Sequence, residues 1–277
     1  MAGGEPVPPG IDVTKPNIAR VYDAFLDGKD NFAADRAVVK LTLDIAPDAA
    51  AGAKANRALL RRMVRFLAGE AGITQFLDIG SGLPSRGNVH EIAHEVNPAA
   101  KVVYIDNDPV VLLHGRALLG RNPAVTVVTA DARDPAQILA SPLVTEFLDL
   151  RRPVGLLMLA ILHHISDSED PAAIAARFRD ALAPGSYLAI SSFRMPGAEH
   201  PEDAAKTRAV QDLFNRTLGT GRWREHEEIL AWFGDWDLVP PGLVPLPEWR
   251  PDVAGQVKRN STYHGFVAGL ARKPPAG

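Results

Sequence analysis

Three carboxylates stand at the ends of three apolar runs in this chain. Asp78 interrupts the run Phe76-Leu77-Asp78-Ile79, and Gly80-Ser81-Gly82 follows directly. Asp106 closes Val102-Val103-Tyr104-Ile105, and Asp131 comes at the end of Val125 to Ala132. A Gly-x-Gly turn after an apolar strand lets backbone approach a ligand closely, because glycine lacks a Cβ and tolerates φ > 0. Carboxylates at strand ends accept hydrogen bonds from hydroxyl and amino groups. Together these residues suit the recognition of a nucleoside-like ligand.

A dinucleotide needs more than that. Its fingerprint is G-x-G-x-x-G, whose third glycine allows close helix–strand packing. Here Gly80 and Gly82 fit, but Ser85 holds the third position and Gly87 comes two residues late, with Pro84 and Arg86 between. The broken fingerprint favours a ligand with an adenosine and no pyrophosphate. Asp106 would then accept from the ribose hydroxyls, as the acidic residue ending the second strand does in dinucleotide sites. Asp131 would accept from the adenine amino group, with the Ala132 backbone beside the ring. Asp78 reads two ways, as a ligand-side carboxylate or as a cap that pins its loop.

The elements that must position these residues alternate. From Gln75 onward strands at 76–79, 102–106, 125–132, 154–159 and 187–191 are separated by helices at 109–119 and 171–182, the pattern of a doubly wound parallel sheet. Asp170 is placed to cap the helix that starts at Pro171. Further helices are expected over 201–218 and 225–233, a short strand over 236–239, and a last strand over 263–270 that alternates like an antiparallel partner. In an open α/β sheet, ligands bind beyond the carboxyl ends of the strands. That rule gathers Gly80, Ser81, Gly82, Asp106, Asn107, Asp131, Ala132, Ala160 and His163 on one edge. Ahead of the sheet, apolar positions at helical spacing predict helices over 18–26, 33–45 and 54–69, a cap outside the alternating core. The predicted division is a disordered, Gly- and Pro-rich tail at 1–13, a helical cap at 14–72 and a ligand-binding domain at 73–277.

The stretches Lys15-Pro16-Asn17-Ile18-Ala19-Arg20-Val21-Tyr22-Asp23, Gly28-Lys29-Asp30-Asn31, Ala55-Asn56-Arg57 and Gln75 through Asn88 carry a family resemblance over nearly the whole chain. The sequence resembles the class I S-adenosylmethionine-dependent methyltransferases. It is most similar to an actinobacterial subfamily long catalogued as a domain of unknown function. The superfamily often carries a further glycine where Pro84 stands here. The resemblance implies a Rossmann-like, seven-stranded sheet with an N-terminal helical cap and S-adenosyl-L-methionine as cofactor. It places Asp78 near the methionine ammonium and sets Tyr22 in a cap that closes over the cofactor. It also puts His163 and His164, in Leu162-His163-His164-Ile165, where the acceptor meets the methyl group. Either histidine could take a proton from a hydroxyl or amine there, or the pair could only orient its loop. The cap residues Arg20, Tyr22, Asp23, Lys29, Asp30, Asn31, Asn56 and Arg57 divide between shaping a pocket and tying the cap together. Trp223-Arg224 and Trp249-Arg250 are candidates for the acceptor side.

Composition narrows the partners. The 277 residues carry a formal net charge of −3, which offers no broad basic field for nucleic acid or an anionic membrane. No cysteine is present, so disulfides and a thiolate nucleophile are excluded, and a reducing cytoplasmic setting is expected. No signal peptide or membrane-length apolar run is evident. The other histidines are scattered without cysteines, and no metal is expected; His90 and His94 share i,i+4 spacing alone. The expected partner is a small-molecule acceptor, with self-association into a homo-oligomer left open. The favoured function is methyl transfer to such an acceptor. The alternatives are a non-catalytic, regulatory binder of S-adenosylmethionine and, less favoured, a dinucleotide-dependent enzyme.

Overall fold

The computed structural model describes residues 12–84, 87–119, 122–253 and 259–275. Most of the expected 1–13 tail lies outside the described residues, as do Ser85 and Arg86 of the glycine loop. The chain opens with three helices, α1 (Ile18–Phe25), α2 (Ala33–Ile45) and α3 (Ala49–Arg65), and α3 runs on into a wide turn at Phe66–Glu70. Then come β1 (Gln75–Ile79), α4 (Val89–Val96), β2 (Lys101–Asp106), α5 (Pro109–Leu119) and β3 (Val125–Thr129). The short helices α6 (Pro135–Ala140) and α7 (Pro142–Thr145) lead to β4 (Gly155–Leu159), α8 (Pro171–Ala181) and β5 (Tyr187–Phe193). The remainder holds α9 (Pro201–Thr217), α10 (His226–Ala231), β6 (Asp237–Leu238), β7 (Val244–Pro245), α11 (Ser261–Gly265) and β8 (Phe266–Arg272).

All strands join one sheet in the order β3-β2-β1-β4-β5-β8-β6, with β7 also pairing to β8. The first five strands are mutually parallel, and β8 runs antiparallel between β5 and the β6/β7 edge. The doubly wound sheet with a terminal antiparallel insert is therefore present. Among the described residues the sheet has the seven positions expected, and an eighth short strand shares the outermost one. The outermost position is shared by β6 and β7, each two residues long. Pro240 and Pro241 lie between them, and a proline has no N–H to give the ladder, so the edge is interrupted and resumed. The last strand starts at Phe266 because Asn260 caps a helical turn first, its side chain accepting from Tyr263 N–H at 3.0 Å. β3 stops at Thr129, which leaves Asp131 in the loop beyond it.

Neighbouring side chains of the buried strands go to opposite faces, as the period of two requires. Leu77, Ile79, Val103, Ile105, Leu156 and Met158 pack with Phe178 of α8 on one face. Phe76, Val102, Tyr104 and Leu157 pack with Leu59, Met63, Val64 and Leu67 on the other. The last group is the apolar stripe of α3 continued by Leu67 in the wide turn, so this helix flanks the sheet, contrary to the expectation that all three leading helices stand outside the core. α1 and α2, joined by the first turns of α3, form a separate layer. Val21, Phe25 and Val38 cluster there with Val210 and Phe214 of α9.

The cap motifs explain themselves locally. Asn17 caps α1, accepting from Ala19 N–H at 2.8 Å. Arg20 and Asp35 form an ion pair at 3.2 Å between side chains 5% and 0% exposed, tying α1 to α2. Asp35 also accepts from the Asn17 and Phe32 N–H groups at 2.9 and 2.8 Å. The loop Gly28-Lys29-Asp30-Asn31 wraps the Asp23 carboxylate, which accepts from Asp30 N–H and Asn31 Nδ2, both at 2.9 Å. Among the described residues no helix is long and apolar enough to cross a membrane.

Candidate active site

Beyond the carboxyl ends of β1, β2, β3 and β4 lies a cavity of about 460 Å³. Its floor is the glycine turn. Gly80 and Gly82 have φ of +69° and +67°, values that L side chains rarely adopt. A Cβ on Gly80 would come within 2.7 Å of Ile161, whereas one on Gly82 would meet no atom of the described residues within 4 Å. Gly82 thus leaves bare backbone facing open space. The N–H groups of Gly80 and Ser81 both donate to Ile105 carbonyl oxygen, at 2.8 and 3.1 Å, which holds the turn against β2. Asp106 fastens it from the side, accepting from Gly82 N–H at 2.8 Å and from Asp108 N–H at 2.9 Å.

The other strand ends complete the polar wall. Ala160, just past β4, adopts φ of +57°, and its N–H donates to Ser191. Ser191 Oγ donates in turn to Asn56 Oδ1 at 2.7 Å, Asn56 Nδ2 donates to Tyr22 Oη at 3.1 Å, and Tyr22 donates to Ala53 carbonyl oxygen at 3.2 Å. One run of hydrogen bonds therefore connects strand end, α3 and α1 across the cavity. Burial pushes the Tyr22 hydroxyl pKa up. Asp131 is held by Arg133, whose Nε donates at 2.8 Å and whose Nη1 also reaches Glu169 at 2.7 Å. That guanidinium keeps the Asp131 pKa below the usual carboxylate range.

Asp78 is the electrostatic centre. Only 6% exposed, its carboxyl is pushed up to about 7 by burial, with Asp106 adding to the rise and Arg57 opposing it. Burial likewise raises Asp106, against the pull of its backbone donors. A buried acid poised near neutrality, beside a second carboxylate, favours a ligand carrying positive charge.

The remaining wall is apolar and aromatic, from α1, α9 and the end of β5. Trp223 stacks on Phe193 with centroids 4.1 Å apart, and Phe193 stacks on His163 at 3.6 Å. His163 accepts from Phe193 N–H through Nδ1 at 3.2 Å. Burial, His164 and Arg224 hold the His163 imidazole well below its ordinary pKa. His164, with its ring 4.4 Å from His163, is lowered to about 4 by burial, and its buried Nδ1 has no hydrogen-bond partner among the described residues.

Tyr22, Asp78, Gly80, Ser81, Gly82, Asp106, Asn107, Asp131, Ala132, Ala160, His163 and His164 all line this one cavity. Of the cap set, Asn56 and Arg57 line it as well, while Arg20, Asp23 and Asn31 serve the cap's own bonding. Trp223 lines it, but Arg224 is buried and pairs with Asp167 at 2.6 Å. Trp249 is fully buried against the other face of the sheet, where Arg62 donates to its carbonyl oxygen at 2.9 Å. Sequence reasoning missed Phe193 and Phe214. One ends β5 and the other lies on α9, in patterns that packing alone would produce, so no signal marked them.

Residues 5–274 match the model of a family described as S-adenosyl methyltransferase. A proposed methyltransferase from Thermobifida fusca YX, known from its crystal structure, is 46% identical over 96% of this chain and 98% of its own, with a TM-score of 0.91. The structure of a DUF574 family protein from Streptomyces avermitilis MA-4680 is 38% identical over 95% of this chain and 99% of its own, with a TM-score of 0.88. An O-methyltransferase family 2 protein from Planctomyces limnophilus shares 19% identity over 91% of this chain and 65% of its own at a TM-score of 0.50, a likeness of fold alone. None of the curated proteins compared with the chain matches it. The strand-end geometry and the match across almost the full length agree: the chain belongs to the S-adenosyl methyltransferase family, with S-adenosyl-L-methionine as its cofactor.

Proposed function

We propose that this enzyme methylates a small molecule seated against the aromatic wall of the cavity. The observation that carries the reading is that the glycine turn, three strand-end carboxylates, the Phe193–Trp223 stack and the histidine pair share one enclosure. The residues present fit the cofactor. Gly82 leaves room where a Cβ would stand, and Asp78, Asp106 and Asp131 supply acceptors for an ammonium, ribose hydroxyls and an adenine amino group. S-adenosylmethionine supplies an electrophilic methyl group on a sulfonium, whose departure needs no acid.

The protein's task is then alignment and exclusion of water. Asp106, already fixed by two backbone donors, presents its remaining acceptor capacity to the ribose. Asp131 keeps its salt link to Arg133 while facing the base, and Tyr22 closes the cap side through Asn56. His163 is a positioning residue, since its Nδ1 is engaged by the backbone of Phe193. His164 is neutral at pH 7, and its Nδ1, buried and without a hydrogen-bond partner among the described residues, meets an acceptor only once the ring turns toward the cavity. An imidazole with so low a pKa accepts a hydrogen bond well but a full proton poorly. The site therefore suits a neutral amine or an acidic, phenol-like hydroxyl more than an aliphatic alcohol. The enzyme is read as cytoplasmic, which a chain with no cysteine fits.

Calorimetric titration with S-adenosylmethionine, its demethylated product and NAD tests the reading, on wild type and Asp106→Ala. Micromolar binding of the first two, lost in the variant, is expected. Binding of NAD, or of none of the three, overturns it. Methyl transfer to a panel of aromatic amines and phenols then separates an enzyme from a regulatory binder.

A further inference from the structure

Outside the cavity, two imidazoles and a carboxylate meet at the junction of α9 and α11. His200 precedes the first residue of α9, Asp203 lies in its first turn, and His264 lies in the last turn before β8. One donor atom from each falls within 4.8 Å of the others. The rings of His200 and His264 stand edge to face with centroids 3.5 Å apart, and His264 Nδ1 is 3.9 Å from Asp203 Oδ2. Glu199 adds a second carboxylate, 3.8 Å from His200 Nε2. The His264 side chain is only 10% exposed. Two basic groups face the cluster: Lys206 lies 3.9 Å from Asp203, and Arg194 donates to the His264 carbonyl oxygen at 3.1 Å.

We propose that His200, Asp203 and His264 bind a divalent transition cation, zinc by preference, that clamps α9 to the start of β8. Imidazole nitrogen and carboxylate oxygen suit zinc at about 2.0–2.2 Å, which places the ligand atoms of a tetrahedron about 3.3–3.6 Å apart. The trio must close by about an ångström to reach that spacing, a movement within reach of side-chain rotation. Glu199 or water completes the coordination. Sequence spacing hides this site, because His264 lies far along the chain from His200 and only the fold brings them together. The consequence reaches the cavity wall, since α9 also carries Val210 and Phe214, and Gly265-Phe266 follow His264 directly. The inference is independent of the acceptor and of the methyl-transfer reading.

Tag-free protein, stripped with chelator and dialysed, is titrated with zinc by calorimetry and with cobalt(II) by visible absorption. One zinc per chain at micromolar affinity or tighter is expected, with the intense cobalt bands of a four-coordinate site. His264→Ala and Asp203→Asn each weaken zinc by about 10- to 100-fold or more, as loss of a metal's supporting groups does elsewhere. At a fixed zinc concentration near the wild-type dissociation constant, the melting temperature of wild type rises and that of both variants rises much less. His200→Gln, at the most exposed of the three positions, repeats the test with the least risk to folding, and cofactor binding by each variant confirms that it is folded. No binding at micromolar zinc, or binding unchanged in the variants, overturns the proposal.

Discussion

At the scale of single residues, Asp78 sets how the site responds to pH. Its carboxyl, pushed up to about 7 mainly by burial, has a higher pKa in the folded chain than in the unfolded one, where about 3.8 applies. The folded state thus holds this proton more tightly, and the associated stability is lost as pH rises from about 4 to about 7. Asp78→Asn should accordingly stabilise the unliganded protein at pH 8, by as much as a few kcal/mol, since each tenfold difference in proton affinity is worth about 1.4 kcal/mol. Thermal melting at pH 5 and pH 8 checks this, with the gain clearly larger at the higher pH. On the proposed seating of the methionine ammonium at Asp78, binding needs the ionised form, so cofactor affinity should fall about tenfold for each step of one in pH below 7 and level off above it. Proton release on binding, read from calorimetry in buffers of different ionisation enthalpy, should vanish in Asp78→Asn. Release that persists there assigns the proton to another group.

The helical elements show what the sequence motifs were for. A Cβ on Gly28 would sit 2.0 Å from Asp23 Oδ1, a carboxylate pinned by Asp30 and Asn31 and unable to swing away. Gly28→Ala should therefore cost about 1–3 kcal/mol, the usual range for overpacking. Measured in an Asp23→Ser background by chemical denaturation, the same change should cost much less. Equal costs in both backgrounds would remove the collision as the cause. The motif was visible in the sequence; its purpose was not, because a Gly-Lys-Asp-Asn run reads equally as a ligand loop or a carboxylate wrap. The strands were legible for a plainer reason. Each buried run such as Val102 to Ile105 is too short for a buried helix and ends in a residue that belongs at a sheet edge. The α3 stripe of Leu59, Met63 and Val64 marked a helix, but nothing in its period says which surface covers it. The β6–β7 interruption was missed because only the ladder reveals which N–H groups Pro240 and Pro241 withhold.

The molecule as a whole is two layers of unequal size. The sheet and its flanking helices hold two large cores, while α1, α2 and the middle of α9 share a smaller one. Elements with less buried apolar contact open at lower free energy. Hydrogen exchange should therefore be faster in α1 and α2 than in β1 and β4, and S-adenosylmethionine should slow it chiefly in the cap through Tyr22 and Asn56. Protection spread evenly over both layers would count against a closing cap. The antiparallel strand carries a consequence for biosynthesis. β5 pairs with β8 along all seven of its residues, yet the two are separated by α9, α10, α11 and the β6–β7 edge. As the chain leaves the ribosome, one side of β5 emerges long before its partner. For that interval the nascent protein exposes an apolar strand with open hydrogen-bonding groups, the kind of surface that invites aggregation. Ribosome-associated chaperones would find their main substrate in this chain between the synthesis of residues 193 and 266.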